Sequence, residues 1–255
     1  MMNKRSLYTT FGMLIAALLL WAFQTKRSDI KVFLAGDSTM SIKEQKAYPE
    51  AGWGMPFVHF WDSSVTVVNK AKNGRSSRTF IEEGLWQSIL QEGKAGDYVF
   101  IQFCHNDEVP TKKSYTKPEE YKNNLRRFVD DARSKGMTAV LMTPVSRRKF
   151  DAQGQQEETH PEYIAYIQEV AKEKKVLLFD MNTATKALYQ QFGEAQSKWL
   201  FLQLKPGEHP NYPEGKEDNT HFNELGARLV AQLVLQEIKS QLPELYSRTV
   251  NRTKK

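Results

Sequence analysis

The stretch Lys31-Val32-Phe33-Leu34-Ala35-Gly36-Asp37-Ser38-Thr39 decides the fold: a short apolar run stops at a glycine and turns polar at once. A run of this length, bounded by turn residues and without strict alternation, reads as a strand buried on both faces. Strands of that kind belong to sheets covered by helices on both sides. Outward from it, the same signature returns at Val65 to Asn69, Tyr98 to Phe103, Thr138 to Thr143 (stopped by Pro144) and Val176 to Asp180. Between these runs the spacing is helical. Pro118 opens a helix to about Lys135, with Tyr121, Leu125, Phe128, Val129 and Ala132 on one face, and Pro161 opens another through Lys174. A last helix starts near Asn223, with Leu225, Leu229, Leu233 and Ile238 as its apolar stripe, and ends before Pro243. Strands alternating with helices imply parallel crossovers, so the expected class is α/β. We expect a three-layer sandwich in which helices cover a central, mainly parallel five-stranded sheet.

The flanks bound that domain. Lys4 and Arg5 precede an apolar run from Phe11 to Phe23 and then polar Gln24 to Asp29, the pattern of a secretory signal peptide. The run falls short of the roughly 20 apolar residues of a membrane span, so membrane contact is expected only if the leader stays uncleaved as an anchor. Residues 1–24 are thus read as leader or anchor, 25–242 as a single domain, and 243–255 as a basic, frayed tail. The expected location is secreted or periplasmic, and the expected state monomeric. The net charge of +6 is spread among 30 acidic residues, with neither a basic stripe nor a zinc-finger or aromatic RNA-binding motif, which argues against nucleic acid as a partner. The single cysteine, Cys104, excludes a disulfide framework. Without a His-Glu-x-x-His run, clustered ligand spacing or a phosphate-binding glycine loop, no metal and no cofactor are expected.

Chemistry enters through polar motifs at the carboxyl ends of the expected strands, where ligand sites of open α/β sheets lie. Ser38 follows the first strand; a serine hydroxyl becomes a nucleophile when a base takes its proton. His221 is a candidate base, and Asp218, three residues earlier, can fix its tautomer. Gly74 in Ala71-Lys72-Asn73-Gly74-Arg75-Ser76-Ser77 offers an unobstructed backbone N–H, and Asn106 a side-chain donor after the third strand. Alone, each motif has an ordinary structural meaning: a turn at Gly36-Asp37-Ser38 or Asn106-Asp107, and a helix cap at Asn219 or Thr220.

In this order and context the motifs resemble those of the SGNH (GDSL-type) hydrolases, whose blocks centre on Ser, Gly, Asn and His. The resemblance runs from Lys31 to Leu242. Within that superfamily the chain is most similar to the rhamnogalacturonan acetylesterase branch. The residues that carry this are Gly-Asp-Ser-Thr, the run Gln102-Phe103-Cys104-His105-Asn106-Asp107-Glu108, and Pro210-Asn211-Tyr212-Pro213-Glu214-Gly215 ahead of Asp218-Asn219-Thr220-His221. The resemblance implies Ser38 as nucleophile, His221 as base and Asp218 as its orienter. It also implies an oxyanion hole of the Ser38 and Gly74 amides and the Asn106 side chain. It implies a serine esterase that removes acetyl groups from a plant cell-wall polysaccharide, with pectic rhamnogalacturonan first, and an acetylated poly- or oligosaccharide as partner. Cys104 departs from the glycine usual in the third block, which places a thiol beside the expected site, able to narrow the pocket without removing a donor.

Two other functions use the same features: an esterase, lipase or acetyltransferase acting on another acyl ester, and a non-catalytic carbohydrate-binding protein. The α/β-hydrolase alternative fails on its Gly-x-Ser-x-Gly elbow, since Met40 stands where the second glycine is needed. Among the remaining residues, Arg75, Arg78, Arg147 and Arg148 are candidates for substrate carboxylates, and Trp53, Trp199 and Tyr212 for sugar stacking or core packing. His59 reads as a helix residue, His160 as a cap or solvent-facing group before Pro161, and His209 as a loop residue. Cys104 reads as a buried structural thiol.

Overall fold

Alternate residues of the central strands feed two different cores, and this fixes the layers. The protein is described here by a computed structural model covering residues 28–250, so the expected leader lies outside the described residues. Strands β1 (Ile30–Gly36), β2 (Val65–Asn69), β3 (Tyr98–Gln102), β4 (Thr138–Met142) and β5 (Leu177–Phe179) form one sheet in the order β2-β1-β3-β4-β5. Every neighbouring pair is parallel, with Ile30 opposite Val65 and Val32 opposite Tyr98. Val32, Leu34, Phe100, Val140 and Met142 enter one core; Phe33, Ala35, Val99, Ile101 and Leu141 enter the other.

Helices cover both faces. In chain order they are α1 (Gly54–Phe57), α2 (Ser77–Glu82), α3 (Leu85–Glu92), α4 (Pro118–Ser134), α5 (Pro161–Lys174), α6 (Met181–Ser197), α7 (Glu224–Gln241) and α8 (Pro243–Tyr246). Residues of α2 to α5 pack with Phe33 and its face, whereas residues of α1, α6, α7 and α8 pack with Val32 and its face. The starts of α4 and α5 follow local chemistry: each has proline in its first turn, where the missing N–H is no loss, and acidic residues there that meet the helix dipole. α2 starts with a capping box between Ser76 and Thr79.

Several features differ from the sequence reading, these three among them. The segment through Asp218 to His221 is a strand, β7 (Lys216–Phe222), paired antiparallel with β6 (Phe201–Leu204) as a separate ribbon. The buried stripe of α7 is Ala227, Val230, Ala231, Val234 and Ile238, while Leu225 is 47% exposed and faces outward. The described part of the expected frayed tail, residues 243–250, is instead anchored: Leu245 of α8 is buried in the core, Thr249 bridges to Trp61, and Arg248 donates to Ser28 O. Among the described residues no helix is long and apolar enough to cross a membrane.

Candidate active site

Ser38 sits on the turn that ends β1. Asp37 O accepts the N–H of Met40 and of Ser41, and Asp37 Oδ1 accepts both Thr39 N–H and Thr39 Oγ1–H at 2.9 Å. Gly36 before it has no room for a side chain, because a Cβ would fall 2.8 Å from Gln102 O on the neighbouring strand. The turn is braced from below: Trp53 N–H donates to Thr39 O, and Trp53 Nε1–H donates to Gln102 Oε1. Lys43, whose side chain is fully buried, donates from Nζ to Ser38 O and to Asn73 Oδ1 and forms an ion pair with Glu50 at 2.7 Å. Burial pulls the Lys43 ammonium below its ordinary value, and the Glu50 charge opposes this.

The ribbon of β6 and β7 delivers the base. His221 Nε2 lies 2.9 Å from Ser38 Oγ, and His221 Nδ1 lies 2.8 Å from Asp218 Oδ2. With the Nδ1 proton donated to the carboxylate, Nε2 is left as the acceptor for the serine proton. The other carboxylate oxygen, Oδ1, accepts the backbone N–H of Thr220 at 2.7 Å and of His221 at 2.9 Å. Burial raises the Asp218 carboxyl, but the hydrogen bond and charge of His221 and these two amides outweigh it and hold Asp218 well below the ordinary carboxylate range. The ribbon is pinned by Ala51 N–H donating to Phe222 O and by the Phe201 and Phe222 rings, whose centroids are 5.4 Å apart.

Across the cavity stand the donors. Gly74 has φ 76°, a left-handed turn conformation, and a Cβ on it would meet nothing within 4 Å, so its backbone faces open space. Among the described residues no acceptor takes the N–H of Ser38 or of Gly74. Asn106 is fixed at both ends of its amide, with Nδ2 donating to Arg75 O and Oδ1 accepting from Lys112 Nζ, each at 3.0 Å. One Nδ2 proton therefore remains free. Ser38, Gly74, Asn106, Asp218 and His221 line one cavity of about 340 Å³, together with Glu50, Asn73, His105, Lys112, Arg147 and Thr220.

This is the arrangement an acyl-transfer site requires: hydroxyl, imidazole and carboxylate in series, facing unsatisfied donors. The sequence profile of the GDSL-like lipase/acylhydrolase family matches residues 34–229. The chain belongs to that family. This GDSL-like hydrolase is 45% identical over 214 residues to the rhamnogalacturonan acetylesterase RhgT of Bacillus subtilis (strain 168), covering 84% of this chain and 91% of that one. The crystal structure of the Bacillus subtilis protein YxiM is similar at a TM-score of 0.73 and 29% identity, over 84% of this chain but only 57% of that chain. The acetylxylan esterase Axe2 of Geobacillus stearothermophilus shares the fold at a TM-score of 0.56 and 18% identity, over 83% of this chain and 94% of that one.

Within the GDSL-like hydrolase, every motif residue of the expected site meets at this cavity, but several neighbours differ from expectation. Of the four arginine candidates only Arg147 lines it; Arg75 pairs with Glu83, Arg78 with Glu82, and Arg148 is buried against Ser197, Asn219 and the Glu194 carbonyl. Trp53 is buried, Trp199 is exposed away from the cavity, and Tyr212 donates its hydroxyl to Ala47 O. Cys104 does not narrow the pocket: it lies in the core beneath the sheet, where burial raises its thiol well above the ordinary value. His160 stands at the N-cap position of α5, where its carbonyl accepts Ile164 N–H, but its side chain caps nothing and does not face solvent. It is buried, stacks on His105 at 4.5 Å and bonds through Nδ1 to Glu108 Oε2 at 2.8 Å.

Glu108 Oε1 in turn accepts from Arg147, whose other nitrogen donates to Thr220 Oγ1, so this network reaches the loop between Asp218 and His221. Cys104 Sγ, Glu108 Oε2 and His160 Nδ1 lie within 4.8 Å of one another, the spacing of a metal site. The carboxylate there is already shared between His160 and Arg147, and burial raises the Cys104 thiol well above its ordinary value. Lys43, Glu50, Lys112 and the Glu108–His160 pair are site features that sequence reading missed. Single Lys and Glu residues carry no motif; only Glu108, in the run beginning Gln102, stood beside a signal.

Proposed function

We propose that this GDSL-like hydrolase is a serine acetylesterase acting on an acetylated pectic polysaccharide, rhamnogalacturonan in the first place, with Ser38, His221 and Asp218 as its catalytic residues. Ser38 Oγ attacks the acetyl carbonyl while its proton passes to His221 Nε2, and Asp218 stabilises the imidazolium. The negative charge that develops on the carbonyl oxygen meets the Ser38 and Gly74 N–H groups and the free Asn106 Nδ2 proton. His221 then gives its proton to the departing sugar oxygen, leaving an acetylated Ser38. Water enters, gives a proton to His221 and attacks the ester; the imidazolium returns the proton to Ser38 Oγ as acetate leaves.

The observation that carries this reading is the unbroken series Ser38 Oγ, His221 Nε2 at 2.9 Å, and Asp218 Oδ2 at 2.8 Å from Nδ1. The 45% identity to an acetylesterase of rhamnogalacturonan supports the substrate. A small cavity lined by Glu50, Asn73, Asn106, Lys112 and Arg147 suits a short acyl group on a sugar better than a long lipid chain. We infer also that the leader exports the protein and that it works as a monomer. Its recovery outside the cell with a shortened amino terminus, and its elution volume, test those points.

The substrate is tested by acetate release from acetylated rhamnogalacturonan, acetylated xylan and para-nitrophenyl esters of rising acyl length. The pectic substrate is expected to be fastest among the polymers and acetyl fastest among the esters. Faster cleavage of long acyl esters would contradict the assignment.

A further inference from the structure

We propose that Lys112 forms a subsite for the carboxylate of a uronate sugar in the substrate chain. This rests on the reading of the cavity as the site of an esterase for acetylated pectic chains, and it names the residue that recognises the acidic sugar.

The charges around the cavity are paired, with one exception. Glu50 is neutralised by Lys43 at 2.7 Å, Arg147 by Glu108 at 3.0 Å, and Asp218 faces His221 at 2.8 Å. Lys112 lines the same cavity, is exposed, and forms no ion pair among the described residues. Its only hydrogen-bond acceptor there is neutral, Asn106 Oδ1 at 3.0 Å. An ammonium has three donors, so two remain for a ligand.

The loop that carries Lys112 is built to hold it. Lys112 N–H donates to Val109 O and Lys112 O accepts Tyr115 N–H, both at 3.0 Å. On its far side the Arg78 guanidinium grips the carbonyls of Lys113 and Tyr115. An unpaired cation is thus kept beside the donor that would hold the acetyl oxygen. Orienting Asn106 requires only a donor, which a neutral side chain would supply at less risk of attracting stray ions. A positive charge adds something when an anion arrives, and a charge-assisted bond to a carboxylate is stronger than a neutral one. The sugar class that presents a carboxylate near an acetylated hydroxyl is a uronate.

The test compares acetate release from an acetylated galacturonate oligosaccharide as the free acid and as its neutral methyl ester, with para-nitrophenyl acetate alongside. Wild type should show a KM about fivefold lower for the acid than for the ester, a preference that fades with added salt. Lys112→Met should bring that ratio close to one, while Lys112→Arg should keep most of it. Any loss transmitted through Asn106 will slow all three substrates by a common factor, and the acid-to-ester ratio removes it. An unchanged ratio in Lys112→Met, or equal KM for acid and ester in wild type, overturns the subsite and leaves the esterase reading standing. Turnover of para-nitrophenyl acetate with no acetate from either oligosaccharide overturns the pectic reading and the subsite together.

Discussion

Asn106 is positioned before any substrate arrives, because Lys112 fixes its oxygen and Arg75 O takes one of its two amide protons. Replacing it with alanine removes a donor made useful only as charge develops, so Asn106→Ala should lower kcat by about 10²-fold or more with little change in KM. Steady-state kinetics on para-nitrophenyl acetate checks this, and an unchanged kcat would remove Asn106 from the oxyanion hole. Its neighbour Asp107 is buried with Oδ1 bonded to Ser77 N–H and Oγ–H, and burial pushes its carboxyl up to about 7 against those bonds. A carboxyl raised in the folded state binds more protons there than in the unfolded chain, so its contribution to stability falls as pH rises from about 4 to about 7. Asp107→Asn should flatten that decline in denaturation curves taken across the window; an identical slope in the variant would exclude Asp107 as its source. Ser38, Gly74, Asn106, Asp218 and His221 were legible as letters because their chemistry depends on residue type in a fixed order. Lys43 and the Glu108–His160 pair were not, since their roles arise only from partners brought close by the fold: Glu50, and a contact across 52 positions of chain.

At the scale of elements, the sheet strands and the proline-opened helices were readable from apolar runs and start signals, and the exceptions have physical causes. β7 carries Lys216, Glu217, Asp218, Asn219, Thr220 and His221, a polar run that no hydrophobic pattern marks as a strand; it pairs with short β6, bridges to Ala51 only at Phe222, and lies partly in solvent. α6 was invisible for a related reason: its buried face includes Asn182, Thr185 and Ser197, whose polar groups are satisfied internally. The stripe of α7 was misplaced because its closest packing uses small residues. Gly226 lies against the chain just before β6, where a Cβ would overlap the Leu200 carbonyl. Gly226→Ala should therefore destabilise the protein by about 1–3 kcal/mol through overpacking, read as a lower urea midpoint. The same variant should lose activity, because Leu200 leads directly into the ribbon that carries His221. A midpoint equal to wild type would mean that the two segments separate without cost.

For the molecule as a whole, the parallel sheet answers how residues 183 positions apart can share a proton. β1, β2 and β3 end at one edge, so the loops bearing Ser38, Gly74 and Asn106 converge there, and the ribbon of β6 and β7 folds over that edge to bring His221. The α/β class, the five strands and their parallel direction follow from buried runs alternating with helices, and were legible for that reason; the strand order was not. The ribbon was not, because nothing local separates a polar strand from a loop. Acetate release from acetylated rhamnogalacturonan by wild type and by Ser38→Ala, both verified as folded, is the most direct measurement. Wild type should release acetate, and the variant should fall by at least about 10⁴-fold; comparable rates for the two proteins would show that Ser38 is not the nucleophile.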